Sequence, residues 1–181
     1  MTVGEATLKE TEAGLVPDGE GWFVLNARAA AWWRSDELGQ ATTFEGRPGF
    51  ADLGCHVEVL FPGQPNCMYH GESNQEDFLI LSGECIVVVE GQERRLKAWD
   101  FVHCPPWTEH VFVGAGEGPC VIVMVGRRKR PTELLYPVDE TAAKHGASVL
   151  EETRDGDEAY ARFTDPERTS YQPGWLPGDS P

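Results

Sequence analysis

The middle of the chain is a succession of short apolar or alternating segments that turn residues separate. Residues 55–61 alternate polar and apolar side chains and end at Pro62-Gly63, and residues 84–90 are rich in β-branched side chains and end at Gly91. Similar segments span residues 77–81, 93–98, 101–104, 110–113 and 120–125. Short strands at intervals of about 8–12 residues are typical of all-β sandwiches and barrels. The pattern therefore predicts an all-β barrel over residues 50–126.

The region before the barrel has no regular alternation, and we interpret residues 1–49 as an N-terminal arm. Residues 1–21 are acidic and contain four glycines, which indicates a loose lead-in. Residues 22–25 predict a short edge strand. Residues 27–35 are rich in alanine and tryptophan and predict either a turn of helix or a covering arm.

The region after the barrel, residues 127–181, is predicted to be a C-terminal tail with short helices. Residues 138–145 predict one helix, which Gly146 ends, and residues 158–163 predict another, which Asp165-Pro166 ends. Although residues 151–181 are acidic, they include Tyr160, Phe163, Tyr171 and Trp175. Disordered segments seldom hold so many aromatic residues. We therefore expect the tail to pack along the barrel or on a partner subunit.

Composition and charge exclude some classes of function. The 181 residues carry a formal net charge of −15, so the basic surface that nucleic-acid binding needs is absent overall. The basic run at residues 127–130 is typical of a solvated turn. No apolar stretch approaches the length of a membrane span. An odd number of cysteines, five in all, without a C-x-x-C pair or an apolar leader, predicts a reducing, cytoplasmic location.

Four side chains form a candidate metal site. His70 and Glu72 are two residues apart, so on a strand they project from the same face. Glu76 begins the next apolar segment, and His110 begins another after a Pro-Pro turn. If the strands curl into a barrel, these groups converge at one mouth. Two imidazoles with carboxylates are a usual donor set for a first-row divalent metal.

The spacing of these residues resembles the two motifs of the cupin superfamily. Motif one of that family runs His-x-His, three or four residues, Glu, six residues and Gly; here it reads His70-x-Glu72, three residues, Glu76, six residues and Gly83. Motif two runs Gly, five residues, Pro-x-Gly, two residues, His, three residues and Asn. Here it reads Trp99, five residues, Pro105-Pro106-Trp107, two residues, His110, three residues and Gly114. A short hairpin around Gly91 separates the motifs.

The resemblance implies a cupin double-stranded β-helix, a jelly-roll-like antiparallel barrel, with a metal held by His70, Glu72, Glu76 and His110. Glu72 takes the place of the family's second histidine. Two histidines and two carboxylates are a harder set than three histidines and one carboxylate, so they favour Mn, Fe or Zn over copper. His56 and His103 are candidates for a supporting role or for ordinary structural histidines.

Three functions are compatible with the sequence. The first is a metal-dependent enzyme that acts on a small molecule, with an oxygenase- or isomerase-type reaction at a divalent ion. The second is a non-catalytic small-molecule or sugar-binding module, and the third is a structural or regulatory partner protein. The sequence identifies no catalytic residue. We also expect a homodimer in which the arm or residues 160–175 cover a sheet edge, because open barrels leave edge strands to be covered.

Overall fold

The segments of residues 50–126 predicted to be strands are strands in the structure, a computed structural model that describes residues 2–178. In chain order the elements are β1 (Thr7–Thr11), β2 (Gly14–Asp18), β3 (Ala31–Ser35), β4 (Gly39–Thr42), β5 (Leu53–Leu60), β6 (Gly71–Glu72), β7 (Glu76–Ser82), β8 (Glu84–Val89), β9 (Gln92–Lys97), β10 (Phe101–Cys104), β11 (His110–Ala115), β12 (Cys120–Arg127), β13 (Leu134–Leu135), α1 (Glu140–Ala143), α2 (Gly156–Tyr160) and β14 (Glu167–Ser170). Every paired strand runs antiparallel to its neighbour, which confirms the all-β antiparallel prediction.

Two sheets form the central domain. The larger has seven strands in the order β10-β7-β12-β5-β4-β3-β14, and the smaller has three in the order β11-β8-β9. Because side chains alternate across a strand, every second residue faces the space between the sheets. A single apolar core fills this space, and its members from both sheets are buried: Leu60, Phe78, Ile80, Ile122 and Met124 from the large sheet, Cys85, Val87 and Phe112 from the small one.

The outer faces of both sheets are covered by the parts of the chain that flank the barrel. On the large sheet, Val57, Val59 and Val121 pack with Trp32 of the arm and Trp175 of the tail. On the small sheet, Val88 and Val111 pack with residues 142 and 147 of the tail. The flanking regions therefore contribute to the buried interior on both sides of the barrel.

The N-terminal arm differs from its prediction in three places. The expected lead-in contains the β1–β2 hairpin, whose first strand is mostly exposed and so lacks an apolar face that the sequence could display. Residues 22–25 form a single bridge at Trp22 in place of an edge strand, because Phe23 packs on Phe50 through its ring and finds no strand partner. Residues 31–35 are a strand, since β4 and β14 pair with β3 on both sides and hold it extended.

The tail packs on its own chain. Strand β14 pairs with β3 and covers that edge of the large sheet, and Trp175 lies 5.2 Å from Trp32 between ring centroids. Helix α1 lies within the predicted residues 138–145, whereas α2 begins two residues before the predicted 158–163 and ends at Tyr160. Each helix begins after an aspartate that accepts a backbone N–H. The homodimer stays a prediction, to be measured by light scattering. Neither helix of residues 2–178 has the apolar length that crossing a membrane requires.

Motif two departs from the family pattern at positions with unusual backbone geometry. Trp99 and Trp107 occupy the two family glycine positions, and both have left-handed backbone, with φ of 76° and 69°. Bulky residues rarely adopt this conformation, because Cβ crowds the carbonyl oxygen. At Gly114, the family's asparagine position, an added Cβ would lie 2.2 Å from the carbonyl oxygen of Phe61. The chain thus keeps the turns of the motif while changing the residues that form them.

We predict that the left-handed backbone at Trp99 reverses the usual stability order of glycine and alanine. Trp99→Gly should be more stable than Trp99→Ala by about 1 kcal/mol, because glycine carries no Cβ to clash at positive φ. Urea unfolding of the two variants measures the difference.

Phe101 provides the matched control, since it is also an exposed aromatic residue, at 62% against 75% for Trp99, but lies within strand β10. There Phe101→Gly should be less stable than Phe101→Ala by about 0.5–1 kcal/mol. The same order at both positions would contradict the left-handed conformation of Trp99.

Candidate metal centre

The backbones of His70 and His110 pair directly with each other. The N–H of His70 donates to the carbonyl of His110 at 3.2 Å, and the N–H of His110 donates to the carbonyl of His70 at 2.9 Å. This reciprocal pair joins the segment before β6 to the start of β11 as an antiparallel bridge. Side chains of directly opposed residues lie on the same face. The two imidazole rings are therefore neighbours, with 5.2 Å between centroids.

Both imidazoles are held in the same tautomer by backbone carbonyls. His70 Nδ1 lies 2.8 Å from the carbonyl oxygen of Met68, and His110 Nδ1 lies 2.9 Å from that of Thr108. A carbonyl oxygen only accepts, so each Nδ1 carries the proton and donates it. The lone pair of each ring is consequently on Nε2, which is the usual arrangement for a histidine that binds a metal.

Glu76 brings a carboxylate to the same point. It is the first residue of β7, and its Oε2 lies 3.3 Å from Nε2 of His110. Oε2 is buried and has no hydrogen-bond partner within residues 2–178. Ligand atoms of His70, Glu76 and His110 all lie within 4.8 Å of one another. Three of the four predicted ligands thus meet in one cluster.

Burial controls the protonation of this cluster. It lowers the pKa of His110 to about 4, with a smaller effect from the neighbouring His70, and it also lowers the pKa of His70. Burial first, and then the charge of Glu72, raise the pKa of Glu76 to about 8. Near neutral pH the histidines are neutral and the carboxyl of Glu76 holds a proton. The cluster therefore carries little charge of its own, although its atoms are all potential ligands.

The donor set fits a divalent first-row metal. A buried carboxylate oxygen without a partner is costly, and coordination would satisfy it. Two imidazole nitrogens and one carboxylate oxygen suit iron or zinc, and carboxylates suit manganese, with coordination positions left open. His70, Glu76 and His110 are the residues that would hold such an ion.

Glu72 lies beside this cluster and is not one of the three residues that meet. Its side chain is half-buried on β6, where burial raises its pKa, and it lines a cavity of about 300 Å³ together with Glu76 and His56. Its charge acts on Glu76, so the two carboxyls are near neighbours. The position of Glu72 at the mouth of the site leaves its role as a fourth ligand a prediction.

The two other histidines of the barrel differ in their surroundings. His103 is half-exposed on β10 and its Nδ1 lies 2.6 Å from a carboxylate oxygen of Asp77, on the outer face of the large sheet. His56 points into the barrel on β5, 3.7 Å from Glu58, and burial followed by the charge of Arg128 lowers its pKa to about 4. Burial also raises the pKa of Glu58 well above its usual value. His56 is therefore a neutral group facing the candidate site.

Sequence reasoning missed a connection between the tail and His70. The backbone N–H of Met68 donates to the hydroxyl oxygen of Tyr160 at 3.1 Å, while the carbonyl of the same residue fixes the ring of His70. The ring of Tyr136 lies 5.7 Å from that of His70. The only signal in the sequence was the presence of aromatic residues in an acidic tail, which does not reveal their partners.

A larger cavity lies elsewhere in residues 2–178. It measures about 930 Å³ and lies between the β1–β2 hairpin, residues 45–47 and strand β14. None of the three clustered ligands lines it. Its size alone therefore does not indicate the functional site, and the smaller cavity beside Glu76 is the better candidate.

Two crystal structures have a similar fold. One is a protein assigned as a sugar phosphate isomerase from Acidithiobacillus ferrooxidans ATCC 23270, with a TM-score of 0.50, 23% identity, and coverage of 54% of this chain and 64% of that one. The other is the polyketide cyclase RemF from Streptomyces resistomycificus, with a TM-score of 0.51, 16% identity, and coverage of 61% and 82%. At these identities the likeness shows the fold alone. The chain spans less than two thirds of the first of these proteins.

Comparison at the level of sequence agrees with the fold. Comparison with curated proteins gave no match. A sequence model of the family described as "Cupin domain" matches residues 56–126, which include both motifs and the clustered His70, Glu76 and His110. The antiparallel fold, the two motifs and this match agree on one assignment: residues 56–126 form a cupin domain.

Proposed function

We propose that the protein is a metal-dependent cupin that binds a divalent ion through His70, Glu76 and His110 and acts on a small molecule at that ion. One observation carries the proposal: two Nε2 lone pairs and an unpartnered, buried carboxylate oxygen lie within 4.8 Å of one another. Each donor is preorganised, because backbone carbonyls orient the rings and strand β7 orients the carboxylate. A site of this kind requires little reorganisation to bind an ion.

The coordination positions that the protein leaves open on a bound ion determine which class of reaction the site can support. A divalent ion held there supplies either a Lewis acid for an isomerase-type reaction or, with iron, a centre for an oxygenase-type reaction. The protein itself excludes water from one side of the site, since Phe78 and Phe112 pack against the inner side of His110. Solvent and small molecules therefore reach the site from the side of Glu72 and the cavity of about 300 Å³.

Glu72 is proposed as the fourth ligand. Glu72 is the second residue of strand β6, two positions after His70, and its charge raises the pKa of Glu76. Its burial already disfavours the free carboxylate, and coordination of a cation would offset this cost. Zinc, iron and manganese all accept a carboxylate in this position.

Metal binding at this site is coupled to the loss of one proton. Ligands bind a metal in their deprotonated forms, so a proton on Glu76 competes with the ion. The pKa of Glu76 is about 8, whereas His110 titrates near 4 and is already neutral at pH 6. Burial lowers the pKa of His70 as well and favours its neutral form. The main competing proton between pH 6 and pH 8 is therefore that of Glu76, and affinity for the ion rises with pH.

We expect the protein, purified without a metal-chelating tag, to retain a divalent ion that elemental analysis detects. The double variant His70→Ala/His110→Ala should lose it, because both nitrogen ligands are removed. The variant His103→Ala/His145→Ala is the matched control, since it removes two imidazoles that lie outside the cluster. Circular dichroism checks that the sheets persist. Equal metal content in the two double variants would rule the site out.

The role of Glu72 is tested by Glu72→Gln, which keeps the volume and removes the charge. If Glu72 is a ligand, zinc affinity should fall by about tenfold or more, since loss of a charged partner costs roughly 1.5–3 kcal/mol. Competition with a chromophoric chelator measures the affinity. Glu84→Gln, at the exposed start of β8, removes the same charge away from the site. A Glu72→Gln affinity equal to that of this control would exclude Glu72 as a ligand.

We further expect zinc affinity to fall by about tenfold for each pH unit below 8, because one proton on Glu76 must leave. The same chelator competition, repeated from pH 6 to pH 8, measures the slope. In Glu76→Gln the affinity should be weaker but nearly independent of pH over this range. An unchanged slope in that variant would show that another group loses the proton.

A further inference from the structure

The basic run of the sequence lies at the mouth of the candidate metal site. Arg127 ends strand β12, and the run continues through Arg128 and Lys129 to Arg130. Strand β12 pairs with β7 so that its end lies opposite Glu76. Arg127, Arg128 and Arg130 line the cavity of about 300 Å³ that also contains Glu72 and Glu76. Arg127 and Arg128 also line a second cavity, of about 490 Å³, which lies beside Asp77 and contains none of the clustered donors. The run is therefore part of a pocket wall and not only a solvated turn.

Hydrogen bonds hold the backbone of this basic segment in place. The N–H of Arg127 donates to the carbonyl of Gln75 at 3.0 Å, and the N–H of Arg128 donates to that of Asp52 at 2.9 Å. The buried side chain of Asn74 donates to the carbonyl of Lys129 at 3.3 Å and to the hydroxyl of Thr132 at 3.1 Å. The arginines thus extend from a fixed backbone, which lowers the entropy that a ligand would have to overcome.

Only one of the three arginines has a carboxylate partner. Arg128 forms an ion pair with Glu45, and its guanidinium lies over Gly54, where an added Cβ would be 2.8 Å from its Nε. Within residues 2–178, the side chains of Arg127 and Arg130 form neither an ion pair nor a hydrogen bond. In a chain with 30 acidic and 15 basic side chains, these two exposed arginines are therefore available to bind an anion.

The geometry points to an organic anion as the ligand of this pocket, with its carboxylate or phosphate group bound by Arg127 and Arg130. Arginine presents a planar set of donors that matches both of these anions in a bidentate manner. The carboxylates of Glu72 and Glu76 face the same space, and their charge is offset when they bind a cation. The inference rests on the proposed function in that the remainder of the ligand extends toward His70, Glu76 and His110.

The test uses inorganic phosphate and acetate as probes, with glycerol as a neutral comparison. Calorimetry measures their binding to the full chain at low salt, and ³¹P line broadening provides a second measure for phosphate. Both metal-free and zinc-loaded protein are used. We expect saturable binding of at least one anion and none of glycerol. Stronger binding of phosphate indicates a phosphate-bearing ligand, and stronger binding of acetate indicates a carboxylate.

The decisive comparison is between two double variants that remove the same charge. Arg127→Gln/Arg130→Gln should weaken anion binding by about tenfold or more, as expected when charged hydrogen-bond donors are lost. Arg94→Gln/Arg95→Gln, on exposed strand β9, should bind as the unchanged protein does. Equal weakening in both variants, or no saturable binding of either anion by the unchanged protein, would overturn the inference.

Zinc content separates this inference from the proposed function. Arg127 and Arg130 are not among the clustered donors, so their replacement should leave zinc binding unchanged. Loss of anion binding in metal-free protein, together with normal zinc content, supports the arginine pocket alone. If the unchanged protein binds no zinc but anion binding still depends on the two arginines, the proposed metal function fails while the anion site stands.

Discussion

The site depends on the reciprocal pair of backbone hydrogen bonds between His70 and His110. These residues are far apart in sequence, and no side-chain attraction would hold two imidazoles together. The bridge between their backbones does so, and the neighbouring carbonyls of Met68 and Thr108 then determine which nitrogen of each ring is free. The packed interior between the two sheets holds the bridge from one side, because Phe78 and Phe112 contact the ring of His110. The packing of the core and the orientation of the candidate metal-binding histidines therefore depend on the same contacts.

The flanking regions extend this arrangement beyond the barrel. The hydroxyl of Tyr160 accepts a hydrogen bond from the backbone N–H of Met68, and the carbonyl of Met68 orients the ring of His70. Tyr160, a residue of the tail, therefore supports His70 through Met68. Tyr136 and Met68 belong to a small apolar cluster that the tail completes. Residues 127–178 are therefore part of the structural support of the site as well as a cover for the outer faces of the sheets.

The strands of the barrel could be predicted from the sequence because their polar and apolar side chains alternate and because they end at glycine or proline. Residues 84–90, for example, end at Gly91. His70, Glu76 and His110 were predictable from motif spacing, since each begins or precedes a strand. The β1–β2 hairpin was not predictable, because strand β1 is mostly exposed and carries no apolar face. Strand β3 was missed because its neighbours impose its conformation.

Three features of the site depend on contacts across the fold, which the local sequence pattern does not encode. They are the position of Glu72, the support from Tyr160 and the pocket location of residues 127–130.

The pairing of β14 with β3 also bears on how the chain reaches its folded state. Residues 31–35 leave the ribosome long before residues 167–170, so the large sheet lacks its last strand while most of the chain is being made. Contacts between such distant segments are slow to form, because a long loop must close before they stabilise anything. Until then Trp32 lacks Trp175 as its cover, and the edge of β3 is open to other chains. Aggregation during synthesis, and its relief by chaperones, is therefore expected to depend on the last strand more than on the barrel core.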